Sequence, residues 1–181
     1  MQNQLAALQS NIHFIHQGIE LLTLVSDDLY TKNNGPYNKS GIGRHFRHII
    51  EHYYSLIDNN FEGLIDYDSR ERNLRLENDR QFMIASLSGV INSLETLKTD
   101  QSKLDSKIQV RSNEGIGEEN SPLSESTIRR ELQFLISHTV HHYALIGLIL
   151  ETLGFKPDNS FGVAPSTLKY EQHKQAVETA S

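Results

Sequence analysis

Leu132–Leu153 reads LQFLISHTVHHYALIGLILETL, and this stretch decides the fold. Leu132, Leu135, Ile136, Val140, Leu145, Ile146, Ile149, Leu150 and Leu153 recur at the helical spacing and leave almost no polar face, so the spacing predicts a helix central to its bundle. Gly154, with Pro157 soon after, marks its end, and the hydroxyls of Ser124 or Ser126 offer its N-cap. Into this apolar helix the sequence sets His138 and His142, four apart and so one turn above the other. Burying two imidazoles there costs free energy unless both nitrogens of each ring find partners. A metal on one nitrogen and a hydrogen-bond acceptor on the other meets that demand.

Three further periodic segments lie upstream. Leu5, Leu8, Ile12, Ile15, Ile19, Leu22 and Val25 predict helix one over 5–29. Asp27–Gly43, DDLYTKNNGPYNKSGIG, is a turn-rich loop, and Ser40 then caps helix two over about 41–58. Ile65–Asp79, IDYDSRERNLRLEND, reads as a solvated connection, and Phe82 through Leu97 give helix three over about 78–99, capped by Asp79. The polar stretch 100–125 stays outside the core, although Lys107–Arg111 (KIQVR) alternates like a strand and leaves room for a short hairpin. After Phe155, Phe161, Val163, Leu168 and Tyr170 are candidate anchors for the tail. The expected class is therefore all-α, a four-helix bundle with a polar insertion between helices three and four. It forms one domain over 1–170, followed by a polar C-terminal tail over 171–181.

Composition narrows the function. The 181 residues carry 17 Lys+Arg against 23 Asp+Glu, a net charge of −6, with no dense basic tract, which argues against a nucleic-acid partner. Met1–Ser10 lacks the basic and apolar regions of a signal peptide, and no apolar run is long enough to span a membrane, so a cytoplasmic protein is expected. With no cysteine, there is no thiolate metal site and no cysteine nucleophile, and any transition metal must be held by histidine and carboxylate.

Nine histidines are the unusual feature, and His45, His48, His52, His138, His141 and His142 fall in two short windows. A catalytic metal site needs a third protein ligand beside the helix-four pair. Helix two offers His45, His48 and His52 on one stripe, and helical-wheel position favours His45 or His52, which lie closer to the centre of the apolar arc of Phe46, Ile49, Tyr53 and Leu56. His141 falls nearer the helix edge. Position 139 is Thr rather than Glu, which excludes the HExxH pattern of zinc proteases.

The segments GIGRHFRHIIEHYYSLI (41–57), HTVHHYALIG (138–147) and FGVAPSTLKY (161–170) together resemble the DinB/YfiT-like superfamily of metal-dependent four-helix-bundle proteins. That resemblance implies a divalent ion, nickel, zinc or iron, held by one histidine of helix two and two of the last helix, with water completing the sphere. Carried over residue by residue, it implies His138 and His142 and, before the aliphatic pair Ile49–Ile50, His48, with His52 and His45 as alternates. It also implies a small-molecule substrate and, from characterised relatives, a low-molecular-weight thiol as co-substrate. Arg44, Arg47 or Arg70 would then face the thiol's carboxylates.

Three functions compete. A metal-dependent transferase or hydrolase needs an open coordination position, and Glu51, His52, His141 and Tyr143 are the nearby groups to test as its proton carriers. A non-catalytic metal-binding or stress-associated bundle would have that position closed by a protein side chain. Histidines that only hydrogen-bond within a core, with the apolar helix faces building a homodimer, need no metal.

Overall fold

Why the chain folds as it does is clearest at its helix starts. In a computed structural model, which describes residues 5–33, 40–58, 60–113, 115–116 and 121–179, the helices that start at Ile42, Arg80 and Ile128 each follow an extended residue, Gly41, Asp79 or Thr127. Helix α1 spans Ala6–Leu24, and the short α2, Asp27–Thr31, is capped by the Ser26 hydroxyl, which accepts from Leu29 N at 3.2 Å. Helix α3 spans Ile42–Ile57; its cap residue is Gly41, not Ser40. Helix α4 is Leu74–Asn78, and α5, Arg80–Thr96, is capped by Asp79, which accepts from Phe82 N at 2.9 Å. Helix α6 spans Ile128–Thr152, and α7 runs from Pro165 to Thr179.

Helix α1 packs on α5 and α6, and α3 packs on the same two. Their shared core holds Leu8, Phe14, Ile15, Phe46, Ile50, Leu87, Leu135 and Ile146, all sealed from solvent. The expectation of an all-α four-helix bundle is nevertheless corrected. Among the described residues the chain carries seven α-helices and a three-stranded mixed sheet of β1 (Leu64–Asp66), β2 (Lys107–Arg111) and β3 (Leu123–Thr127). β1 runs parallel to β2, with Ile65 opposite Val110, and β3 runs antiparallel to β2, with Ser126 opposite Ile108. Sequence periodicity misses two of these strands for plain reasons. β1 is three residues long, and LSEST in β3 is largely exposed and presents no apolar alternation.

Two boundaries differ. The segment 27–31, read as loop, is a helical turn, and Tyr30 buries its ring and donates to Leu76 O. Residues 34–39, the centre of the predicted Asn-Gly-Pro turn, lie outside the described residues, as do Met1–Gln4 and, between β2 and β3, residues 114 and 117–120. Helix α6 starts at Ile128 because Ser124 and Ser126 belong to β3, so Thr127 caps it instead, accepting from Arg130 N at 3.2 Å.

Nor is α6 buried all round. Gln133, Ser137, His141, Ala144 and Leu148 form an exposed stripe, and the buried one runs through Leu132, Leu135, Thr139, Tyr143, Ile146 and Leu150. The tail folds back over this helix: Phe161 stacks on Tyr143 with centroids 4.6 Å apart, while Tyr170 is exposed.

One buried polar cluster sets helix register. Tyr53 Oη on α3 donates to Asn11 Oδ1 on α1 at 2.8 Å and meets Thr139 Oγ1 on α6 at 3.2 Å. Asn11 Nδ2 in turn donates to Leu132 O at 2.9 Å. A buried polar cluster satisfied in one alignment only resists sliding of the helices. Tyr53 follows His52 and Thr139 follows His138, so this alignment brings the two histidine windows face to face.

Candidate metal centre

Three imidazoles converge across the α3–α6 seam. One nitrogen from each of His48, His138 and His142 lies within 4.8 Å of those of the other two. Ring centroids are 4.9 Å apart for His48–His138, 4.7 Å for His48–His142 and 4.6 Å for His138–His142. The α3 member of this three-nitrogen group is His48, and the His45 and His52 favoured by the wheel lie on the same seam to either side of it. The apolar arc of α3 is shared between α5 and α6, so the residue facing α6 lies at the edge of that arc and not at its centre.

The other two histidines of α3 flank the group. His45 Nδ1 lies 2.9 Å from His142 Nδ1. His52 donates from Nδ1 to His48 O at 2.8 Å, which fixes its tautomer and leaves Nε2 as the lone-pair nitrogen if the ring is neutral. Its ring lies 4.1 Å from that of His138 and stacks on Tyr67 at 5.3 Å. Tyr67 Oη donates to the buried Glu131 carboxylate at 2.9 Å, so the wall of the site is itself held in place.

Burial, then the charge of neighbouring His52 and His142, holds His48 down to about 3. The same combination of burial and nearby imidazoles takes His138 to about 2 and His142 to about 3, and burial takes His52 to about 4. At neutral pH the cluster is thus uncharged, the state in which imidazole offers a lone pair to a cation. His138 Nε2 and His45 Nε2 are buried with no hydrogen-bond partner among the described residues, an arrangement that costs free energy unless something binds there. The donor set of three imidazoles suits zinc, nickel or iron.

A cavity of about 410 Å³ opens onto His45, His48 and His142. Its rim comes from α3 through Arg44, Arg47 and Glu51, and from the segment after β1 through Arg70 and Arg72. That segment, read from sequence as solvated, is instead pinned by its acidic residues. Asp66 Oδ1 accepts from Asp68 N and Ser69 N at 3.0 and 3.1 Å, Asp68 Oδ1 accepts from Asn113 N at 2.8 Å, and Asp66 Oδ2 pairs with Arg111 at 3.1 Å. Of the proton carriers considered, Glu51 accepts from Arg47 at 3.2 Å at the rim and His52 touches the cluster. His141 is exposed, and Tyr143 donates to Phe14 O in the core, away from the three imidazoles. Arg72 comes from DYDSRERN (66–73), a charged segment whose sequence allows either a rim to the site or a solvated loop, and it lines the cavity.

Among the described residues no helix is long and apolar enough to cross a membrane. No family model matches the chain, and no solved structure matches it. A Rhizopus delemar protein named FK506-binding protein 5 is 32% identical over 108 residues, which is 59% of this chain. The chain spans about a quarter of that protein's length, 27%. The resemblance to the DinB/YfiT-like superfamily is therefore corrected: motifs of a few histidines and aliphatic residues do not establish membership when no family model matches and the relative found carries another name. What stands is the chain's similarity to part of a fungal protein and a three-histidine cluster.

Proposed function

We propose that His48, His138 and His142 hold a divalent transition-metal ion, zinc, nickel or iron, and that the protein is a metal-dependent enzyme of transferase or hydrolase type acting on a small molecule. The observation that carries this reading is the convergence of three uncharged imidazoles from two helices beside a cavity, with a buried His138 nitrogen left without a partner. Three protein ligands leave a coordination position for a substrate group or water. An ion held there supplies Lewis acidity. The chain's own residues hold and orient: His45 restrains the His142 ring, His52 and Tyr67 wall the inner side, and the rim arginines face whatever enters.

His45 and His52, packed against the trio, favour a second reading in which one of them closes the sphere and the metal serves structure alone. Cobalt substitution separates the two readings. In the first, azide added to the cobalt protein changes its visible spectrum; in the second it does not. Thermal unfolding tests both: zinc raises the midpoint of the chelator-treated chain, and His138→Ala abolishes the rise. A midpoint indifferent to zinc would end both readings.

A further inference from the structure

The chain is acidic overall at −6, yet the mouth of the cavity gathers Arg44, Arg47, Arg70 and Arg72 against Glu51. Arg47 is committed, since its Nε donates to Glu77 at 3.0 Å and its Nη1 to Glu51 at 3.2 Å. Arg44, Arg70 and Arg72 form no ion pair among the described residues. Arg72 holds the left-handed backbone at φ 56°, uncommon for a residue with a side chain, while lining this cavity.

Arg70 is the informative one. Its Nη1 lies 2.5 Å from His48 Nδ1, and its Nε is buried with no hydrogen-bond partner among the described residues. A guanidinium only donates, so His48 Nδ1 must be the acceptor and carry the ring's lone pair. A neutral imidazole has one such lone pair. When His48 ligates a cation, either that nitrogen is taken or the ring proton moves onto it, and both routes remove the acceptor that Arg70 now uses. Arg70 then presents a charged, planar fork of donors to the cavity, the geometry that matches a carboxylate or a phosphate.

We propose that this cavity takes a small anion, a carboxylate or phosphate group, anchored by Arg70 and supported by Arg72 and Arg44 beside the three imidazoles. The inference rests on the metal site proposed above for its coupling: metal and anion each tighten the other's binding by the same factor, because each relieves Arg70 and His48 of a contact the other displaces.

The test is titration calorimetry of the full chain, chelator-treated and zinc-loaded, with inorganic phosphate and with succinate as separate probes. At least one probe should bind, more tightly to the zinc-loaded chain, and about tenfold or more weakly to Arg70→Gln, the loss expected of a charge-assisted contact. Arg72→Gln, on the exposed rim, should weaken binding by a smaller factor and guards against misfolding of the first variant. Saturation by one probe alone tells carboxylate from phosphate. Binding of neither probe, or equal binding to Arg70→Gln, would overturn the proposal. A chain that takes up no zinc but binds an anion lost in Arg70→Gln would sink the metal reading and leave the anion site standing.

Discussion

His45 Nδ1 and His142 Nδ1 face each other at 2.9 Å across the α3–α6 seam, and with His142 as the donor its Nε2 keeps the lone pair for the cluster. Hydrogen bonds of this kind orient metal-binding imidazoles and set which nitrogen is free. His45→Ala should therefore weaken zinc binding by about ten- to a hundredfold while leaving the site able to load. Competition against a chromogenic chelator measures this, and an unchanged affinity would show that His142 needs no such support.

Acid should destabilise the metal-free chain over a defined window. Burial and neighbouring charge hold His48, His138 and His142 to about 3, 2 and 3 in the folded state, against the ordinary 6.5. Below pH 6.5 the unfolded chain binds protons that the folded one refuses, so this stability is fully present above that pH and drains away as pH falls towards about 3. Denaturant midpoints at pH 7.5 and 5 should differ accordingly. In His48→Ala/His138→Ala the difference should shrink, and a wild-type midpoint flat across this range would contradict the assigned burial.

The Tyr53 hydroxyl ties α1, α3 and α6 together through Asn11 and Thr139. Tyr53→Phe keeps the ring but leaves the buried Asn11 Oδ1 without that donor, at a cost of about 1–3 kcal/mol. Because the same contact aligns the histidine windows, zinc affinity should fall as well. Lower stability with unaltered zinc affinity would separate the alignment of the helices from this hydrogen bond.

Two glycines make a matched pair. A Cβ at Gly18 would lie 2.1 Å from Tyr143 Oη and 3.1 Å from Phe46 Cε1, whereas one at Gly89, within α5, meets nothing within 4 Å. Gly18→Ala should destabilise by about 1–3 kcal/mol through overpacking, and Gly89→Ala should stabilise by up to about 1 kcal/mol through helix propensity. Thermal melts read both; a stabilised Gly18→Ala would mean that α1 and α6 pack less tightly than described.

The histidine cluster was legible in sequence because it follows from spacing. His138 and His142 share a face of any helix, and three candidates on α3 made an encounter with one of them a matter of register. Choosing His48 was not within reach of the wheel, which locates the centre of an apolar arc but not how neighbouring helices divide it. The sheet was only partly legible. Ile108 and Val110 alternate, whereas the three-residue β1 and the exposed LSEST of β3 gain their ladders from partners distant in the chain. Arg70 and Arg72 reach the cavity because Asp66 and Asp68 pin their segment, contacts that local composition does not reveal.

Metal content decides the matter. Tag-free protein purified without chelating resin, analysed by plasma mass spectrometry beside His48→Ala and His138→Ala, should carry about one equivalent of zinc, nickel or iron, as one closed set of ligands requires, and both variants should lose it. Metal-free wild-type protein, with both variants folded and equally stable, would mean that these imidazoles are polar residues of the helix seam and hold no ion.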